Sequence, residues 1–151
     1  MIDLNNDAEL QSVMNTVMGK VFQDVLKRIE DENYELIMEL IYIKNQPEVY
    51  PRTYEFSEAW SGEVTQLNNE TVTEFGYDPA HMTYDPDFNV HGSLESGYIG
   101  QYLAEIILEG KSGNKFGNGW WTEERDTWEP LLKIIDANID NWVIESLNKY
   151  L

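Results

Sequence analysis

Tyr50-Pro51-Arg52-Thr53-Tyr54-Glu55-Phe56-Ser57-Glu58-Ala59-Trp60 divides the chain into a helical N-terminal part and a mixed remainder. Proline clashes with a helical conformation at the residue before it, so a helix arriving from upstream must stop by Tyr50. Thr53 is then placed to accept a hydrogen bond from a free backbone N–H and to cap a new short helix. Tyr54, Phe56 and Trp60 bring too much aromatic surface for a solvated linker and are expected in a core.

Upstream of this stretch, Leu10, Met14, Val17, Val21, Val25 and Ile29 recur at spacings of three or four, with Met18 and Phe22 widening the stripe. The pattern predicts an amphipathic helix over 7–30, capped by Asn6 or Asp7. Asp31-Glu32-Asn33 interrupts the stripe before Leu36, Ile37, Leu40 and Ile41 resume it, up to Tyr42 and Ile43. One helix running to residue 44 would be about 57 Å long. A compact domain of this size has a radius of gyration of roughly 15 Å. Either a break near Glu32 or an arm reaching a partner is therefore expected.

Downstream, Gly62 opens a strand-like region, and Val64–Leu67 and Thr71–Tyr77 flank Asn68-Asn69-Glu70. Asparagines tolerate the positive φ of tight turns, so a hairpin across 63–77 is expected, with Thr71, Thr73, Phe75 and Tyr77 on one face. Tyr77-Asp78-Pro79 is echoed by Tyr84-Asp85-Pro86. A proline offers no N–H to a sheet, so this zone reads as loop or edge strand. Ser96 can cap a third helix that buries Tyr98, Ile99, Tyr102, Leu103, Ile106 and Ile107 and stops at Gly110. A glycine- and asparagine-rich loop over 111–119 follows, then Trp120 and Trp121. Thr127 opens the last helix, with Pro130 tolerated in its first turn. Its apolar stripe is Trp128, Leu131, Leu132, Ile135, Ile139, Trp142, Val143 and Leu147. The order is that of an α+β protein. We read it as a single domain over 1–151, with an N-terminal helical arm (1–44) and an α+β body (50–151).

The 151 residues are 42% hydrophobic, enough for one core, and contain no cysteine, which excludes disulfides and thiolate metal sites. The first seven residues have neither the basic nor the apolar part of a signal peptide, and no apolar run approaches the ~20 residues of a membrane span. A soluble chain made in the cytosol is expected, with no membrane partner and the Asn69-Glu70-Thr71 sequon unused. Net charge is −18, and residues 53–110 hold eleven Asp or Glu with no Lys or Arg. Such a field repels phosphates and anionic membranes, which excludes an ordinary nucleic-acid binder. It suits a basic partner, a mimic of DNA, or a surface past which DNA slides without sticking.

Chemistry-bearing patterns are incomplete. Gly110-Lys111-Ser112 resembles the end of a phosphate-binding loop, but Glu105 stands where that loop needs its first glycine. Asp85, Asp87 and Asn89 have the spacing of the first calcium ligands of an EF-hand, yet Val90 and Ser96 occupy its glycine and glutamate positions. His81 and His91 are ten residues apart with no metal-ligand spacing, and His91 before Gly92-Ser93 suits a turn hydrogen bond. There is no nucleophile elbow, and carboxylate pairs occur in any acidic chain. No catalytic residue, metal or cofactor is expected.

Four segments taken together resemble a family of tailed-phage head–tail joining proteins, the neck or tail-completion proteins also described as "gene product ten-like" minor capsid proteins. They are Arg52-Thr53-Tyr54 with Phe56 and Trp60; His91-Gly92-Ser93; Leu103, Ile106 and Ile107 running into Gly110-Lys111-Ser112-Gly113, Phe116-Gly117 and Gly119-Trp120; and Arg125-Asp126 with Trp128 and Pro130. Their order covers residues 50–151. The resemblance implies a non-enzymatic structural protein of the virion, present in the host cytoplasm during assembly. It would form a homo-oligomeric ring that contacts other connector, tail-terminator or tail-tube proteins. DNA would pass through the ring without specific contact. Lys111, Ser112, Lys115, Phe116, Trp120 and Trp121 are the expected inter-subunit or inter-ring contacts. Arg52, Thr53, Tyr54, Phe56, Trp60, His91, Arg125 and Asp126 are the expected structural motif. The competing reading is an acidic DNA-mimic inhibitor of a restriction enzyme or nuclease.

Overall fold

The computed structural model describes residues 7–44, 54–67, 70–81, 108–109 and 125–151. They form helix α1 (Asp7–Ile37), continued by a π-helical turn (Met38–Ile43); a short helix α2 (Glu55–Glu58); strands β1 (Trp60–Leu67) and β2 (Glu70–Tyr77); a 3-10 turn (Pro79–His81); and helix α3 (Trp128–Tyr150). The protein is α+β. Leu108 and Glu109 are helical, at the end of the segment expected to form a helix after Ser96, whose other residues lie outside the described ones.

No break occurs at Glu32. The polar Asn33 is itself buried, standing four residues after Ile29 and four before Ile37 on the inward side of α1. Its Oδ1 finds no hydrogen-bond partner among the described residues. Burial of the apolar residues on both sides outweighs the modest helix propensity of one asparagine and its unmet acceptor. Val21, Val25, Ile29, Asn33, Ile37 and Ile41 are each four residues apart. In an α-helix every such step turns the stripe by roughly 40°, so the apolar line spirals around α1. Its early part, Val25 and Ile29, packs with Leu131 and Trp142 of α3. Its late part, Ile37, Ile41 and Tyr42, packs with Phe56 of α2. The wider π-turn, marked by the Lys44 N–H donating to the Glu39 carbonyl at 3.3 Å, slows that rotation and keeps Ile41 and Tyr42 on Phe56.

The strands are antiparallel, paired from Trp60↔Tyr77 to Leu67↔Glu70. β1 begins at Trp60, two residues before Gly62. Register puts Trp60, Gly62 and Val64 on the same face as Thr73, Phe75 and Tyr77, and this face meets α1. Thr73, Phe75 and Tyr77 thus alternate onto one face as the sequence predicts. Gly62 sits where the ribbon crosses the helix. A Cβ there would press into the Glu74 carbonyl oxygen and lie 2.5 Å from Leu26 Cδ1.

Helix α3 runs antiparallel to α1. Lys149 donates to Asp24 at 2.9 Å, the Tyr150 hydroxyl donates to the same carboxylate at 3.1 Å, and Arg28 pairs with Glu145 at 2.8 Å. The Lys149 hydrogen bond, supported by Tyr150, holds the Asp24 carboxyl below its ordinary value. At its other end Thr127 opens the helix, as the sequence predicts, and the side chain that accepts from its first N–H groups is that of Asp126. The Asp126 carboxylate accepts from the Trp128 and Glu129 N–H groups at 2.7 and 3.2 Å, whereas the buried Thr127 hydroxyl has no partner among the described residues. Trp142 and Leu131 of the expected α3 stripe are buried, and Leu132 is exposed. Leu132 lies one residue beyond Leu131, about 100° round the helix and off the seam facing α1.

Because Gly62 meets backbone, Gly62→Ala is expected to cost about 2–3 kcal/mol through overpacking, lowering Tm by roughly 5–10 °C. Gly19, inside α1, faces only the amide end of Gln66 at 2.7 Å from a built Cβ. That flexible end can swing away, so Gly19→Ala should be neutral or stabilising by up to ~1 kcal/mol. Thermal and urea unfolding of the two variants checks the contrast.

Candidate functional site

Of the residues expected to matter, Arg52, Thr53, His91, Lys111, Ser112, Lys115, Phe116, Trp120 and Trp121 lie outside the described residues. So do the phosphate-loop remnant at Gly110-Lys111-Ser112 and the aspartates at 85 and 87. Tyr54, Phe56, Trp60, Arg125 and Asp126 are described, and their positions separate structural roles from surface ones.

Tyr54, not Thr53, is the residue at the start of α2. It adopts a left-handed backbone (φ 61°) and makes no side-chain cap. This conformation is costly for a residue with a Cβ. It is held by the Ser57 N–H and Ser57 hydroxyl, which both donate to the Tyr54 carbonyl, at 3.0 and 2.7 Å. The Tyr54 side chain is 46% exposed and lies over Tyr42, ring centroids 4.6 Å apart. It was expected in the core, and instead shields its edge, because the αL backbone turns its side chain out of the cluster. Phe56 is buried and meets Trp60 edge-on at 6.0 Å and Tyr77 at 5.5 Å. Trp60 continues the stack onto Phe75 and Trp128, at 6.0 and 5.8 Å. These rings tie α2, the hairpin and the start of α3 together. Their geometry is that of packing, each ring edge or face already occupied by another ring.

The outward face of the hairpin is different in character. Ser61, Glu63, Glu74, Gly76, Tyr77 and Asp78 border a shallow groove of about 420 Å³. Glu63 and Glu74 are directly opposed across the strands, and Glu70 is exposed near the turn. Like charges in this register destabilise a ribbon. No basic side chain among the described residues pairs with them. A Cβ on Gly76 would meet nothing within 4 Å, so the groove is open. Asp78 is occupied locally, accepting from the Ala80 N–H at 2.9 Å and facing His81 Nε2 at 3.5 Å. Among the described residues no group of three His, Cys, Asp or Glu could hold a metal ion, and no helix is long and apolar enough to cross a membrane.

The helices distribute charge otherwise. Lys27 pairs with Asp31, Lys133 with Glu129, Arg28 with Glu145 and Lys149 with Asp24. The described basic residues are thus used largely against neighbouring carboxylates on α1 and α3, and the hairpin face keeps its acid unopposed. A second groove of about 450 Å³ follows Leu132, Ile135, Asp136 and Ile139 on the outer side of α3.

With no break at Glu32, the arm is the alternative that remains, and sequence reasoning did not say which residues of it are exposed. Leu10 and Met14 belong to the helical stripe, yet they are 42% and 52% exposed. The signal was present in the spacing, which changes at Val21 from alternating four and three to a strict four.

No family model matches the chain, and neither the curated proteins nor the solved structures hold a match to it.

Burial, and then the neighbouring Asp78 charge, push the Tyr77 phenol from 10 up to about 12. The folded state holds this proton more tightly than the unfolded chain, so the stability it contributes is full below pH 10 and is lost as pH rises towards 12. Absorbance titration at 295 nm should show one tyrosine ionising last. Tyr77→Phe should remove that step and flatten the alkaline fall in stability.

Proposed function

We propose that this chain is a non-enzymatic structural protein of a tailed bacteriophage virion. In this role it assembles as an oligomeric ring at the head–tail joint or the end of the tail, around the channel through which DNA moves. The observation that carries the proposal is the uncompensated acid of the hairpin face, within a segment of residues 53–110 that has no basic residue at all. Like charges opposed across a ribbon weaken the fold, so they are better explained by what must be repelled than by stability. A polyanion passing through a pore has to be kept from sticking, and unopposed carboxylates do this. The resemblance of residues 50–151 to joining proteins supports the same role.

An acidic inhibitor that imitates DNA is the alternative. Such a mimic needs long rows of free carboxylates to meet a basic partner, with binding that weakens steeply in salt. On α1 and α3 several carboxylates are instead paired with lysine or arginine, which favours the joining role.

Under this proposal the segment containing Lys111, Ser112, Lys115 and Phe116 contacts a neighbouring subunit or ring. Deleting residues 112–118 in the phage should leave a folded chain but separate heads and tails by electron microscopy. Joined virions at normal yield would overturn the contact. A purified chain that binds a basic nuclease tightly at low salt, and is absent from virions, would overturn the proposal.

A further inference from the structure

We infer that the first turns of α1 are a self-association surface, and that its partner is the same surface on a second copy of this chain. Among the described residues, the hairpin and α3 cover α1, and both end short of its N-terminus. The C-terminal turn of α3 reaches Asp24 through Lys149 and Tyr150, and Lys20 lies over the Tyr150 ring at 5.7 Å. The hairpin reaches a little further, where the Gln66 amide donates to the Asn15 carbonyl. Asp7 to Lys20 therefore projects past α3 by about 20 Å, at ~1.5 Å per residue.

The projecting turns carry an apolar seam with no counterpart in the described structure. Leu10 and Met14 are exposed, and Val13 and Val17 are only partly covered. Leu10, Met14, Val17 and Val21 follow spacings of four, three and four, the 3.5-residue period of a helix that packs lengthwise on another helix. From Val21 inward the spacing becomes a strict four, and there the helix meets its own hairpin and α3. The change of period falls where intramolecular cover begins.

Charge selects the partner. Two copies, each at −18, repel across most of their surfaces. Residues 10–19 contain no charged side chain, so here two copies can meet without burying a carboxylate. A basic partner would gain nothing from this face. An antiparallel pairing also keeps the two acidic bodies at opposite ends. It would place a two-fold axis near Met14 and set Leu10 against Val17 of the second copy, a self-complementary contact. The contact is smaller than the roughly 800 Å² per partner of a stable dimer, so the association is reversible and depends on concentration. This inference rests on the proposed function only in that a ring protein must contact its own copies, and it adds a contact distinct from residues 111–121.

Sedimentation equilibrium of the full chain, with single-cysteine crosslinking, tests it. Wild type should dimerise, more tightly in 500 mM than in 50 mM NaCl, because salt screens the repulsion between like-charged bodies. Leu10→Asp with Met14→Asp should weaken association at least tenfold while leaving the unfolding midpoint unchanged, since both side chains are exposed. Ile144→Asp, on a 55% exposed residue of α3, should leave association as in wild type. The chain has no cysteine of its own, so Met14→Cys should give a disulfide-linked dimer on oxidation and Ile144→Cys should not. A wild type that stays monomeric at several hundred µM in high salt, or a double variant that associates like wild type, would overturn the inference. In the latter case oligomers would persist through another contact and the joining role would stand. Dimers formed through α1 by a protein absent from virions would leave this inference standing and remove the role.

Discussion

The close approach of α1 and the hairpin at Gly62 sets the rest of the structure. Leu26 of α1 lies where a side chain at Gly62 would be, so the inner face of the ribbon seats directly on the helix. Trp60 and Phe75, on the same face as Gly62, then reach Trp128 at the start of α3. That stack fixes where α3 begins, and the Asp24 carboxylate, receiving Lys149 and Tyr150, fixes where it ends. Both core clusters draw on α1, one near each end of its buried stretch. A wider separation at Gly62 would lift the ribbon off the helix and take the aromatic stack with it.

Elements governed by periodicity were legible in the sequence. The alternation from Thr71 to Tyr77 predicts β2, and the Leu131 to Trp142 spacing predicts α3, because both patterns report which face is buried. Ends and interruptions were less legible. Asp31-Glu32-Asn33 reads as a hinge or as a polar helical turn; it is the latter, because Asn33 occupies an inward position and the helix runs through it. Thr53 looks like a cap, but Tyr54 holds that place with a left-handed backbone; Thr127 does open α3, while the capping carboxylate is that of Asp126 one residue earlier. Choice among adjacent polar residues depends on local backbone geometry, which composition does not encode. The exposed seam at Leu10 and Met14 fits the arm reaching a partner that the length of the helix suggested, because apolar spacing shows that a face needs a partner, not that the partner lies in the same chain.

Charge is arranged by element in a way that spacing alone does not show. The helices pair four of their carboxylates, Asp24, Asp31, Glu129 and Glu145, with lysine or arginine across or along their surfaces. Exposed pairs of this kind add little stability, but they lower the field near α1 and α3. The hairpin keeps Glu63 against Glu74 with no such relief. The molecule therefore has an acidic ribbon, two partly neutralised helices and, just inside the start of α1, an uncharged stretch over residues 10–19. Repulsion on one side with neutral contact at an end is an arrangement suited to copies that gather around a polyanion without binding it.

All of this depends on α1 being one continuous helix that is anchored along its middle and has an exposed apolar seam near its start. Amide hydrogen exchange along α1 measures that property directly. Amides from Val21 through Tyr42 should exchange together, near the global unfolding free energy and without a step at Glu32, while residues 7–14 exchange faster in dilute monomer. Two separate protected blocks divided at Asp31–Asn33, or equal protection from Asp7 onward in dilute monomer, would contradict the account.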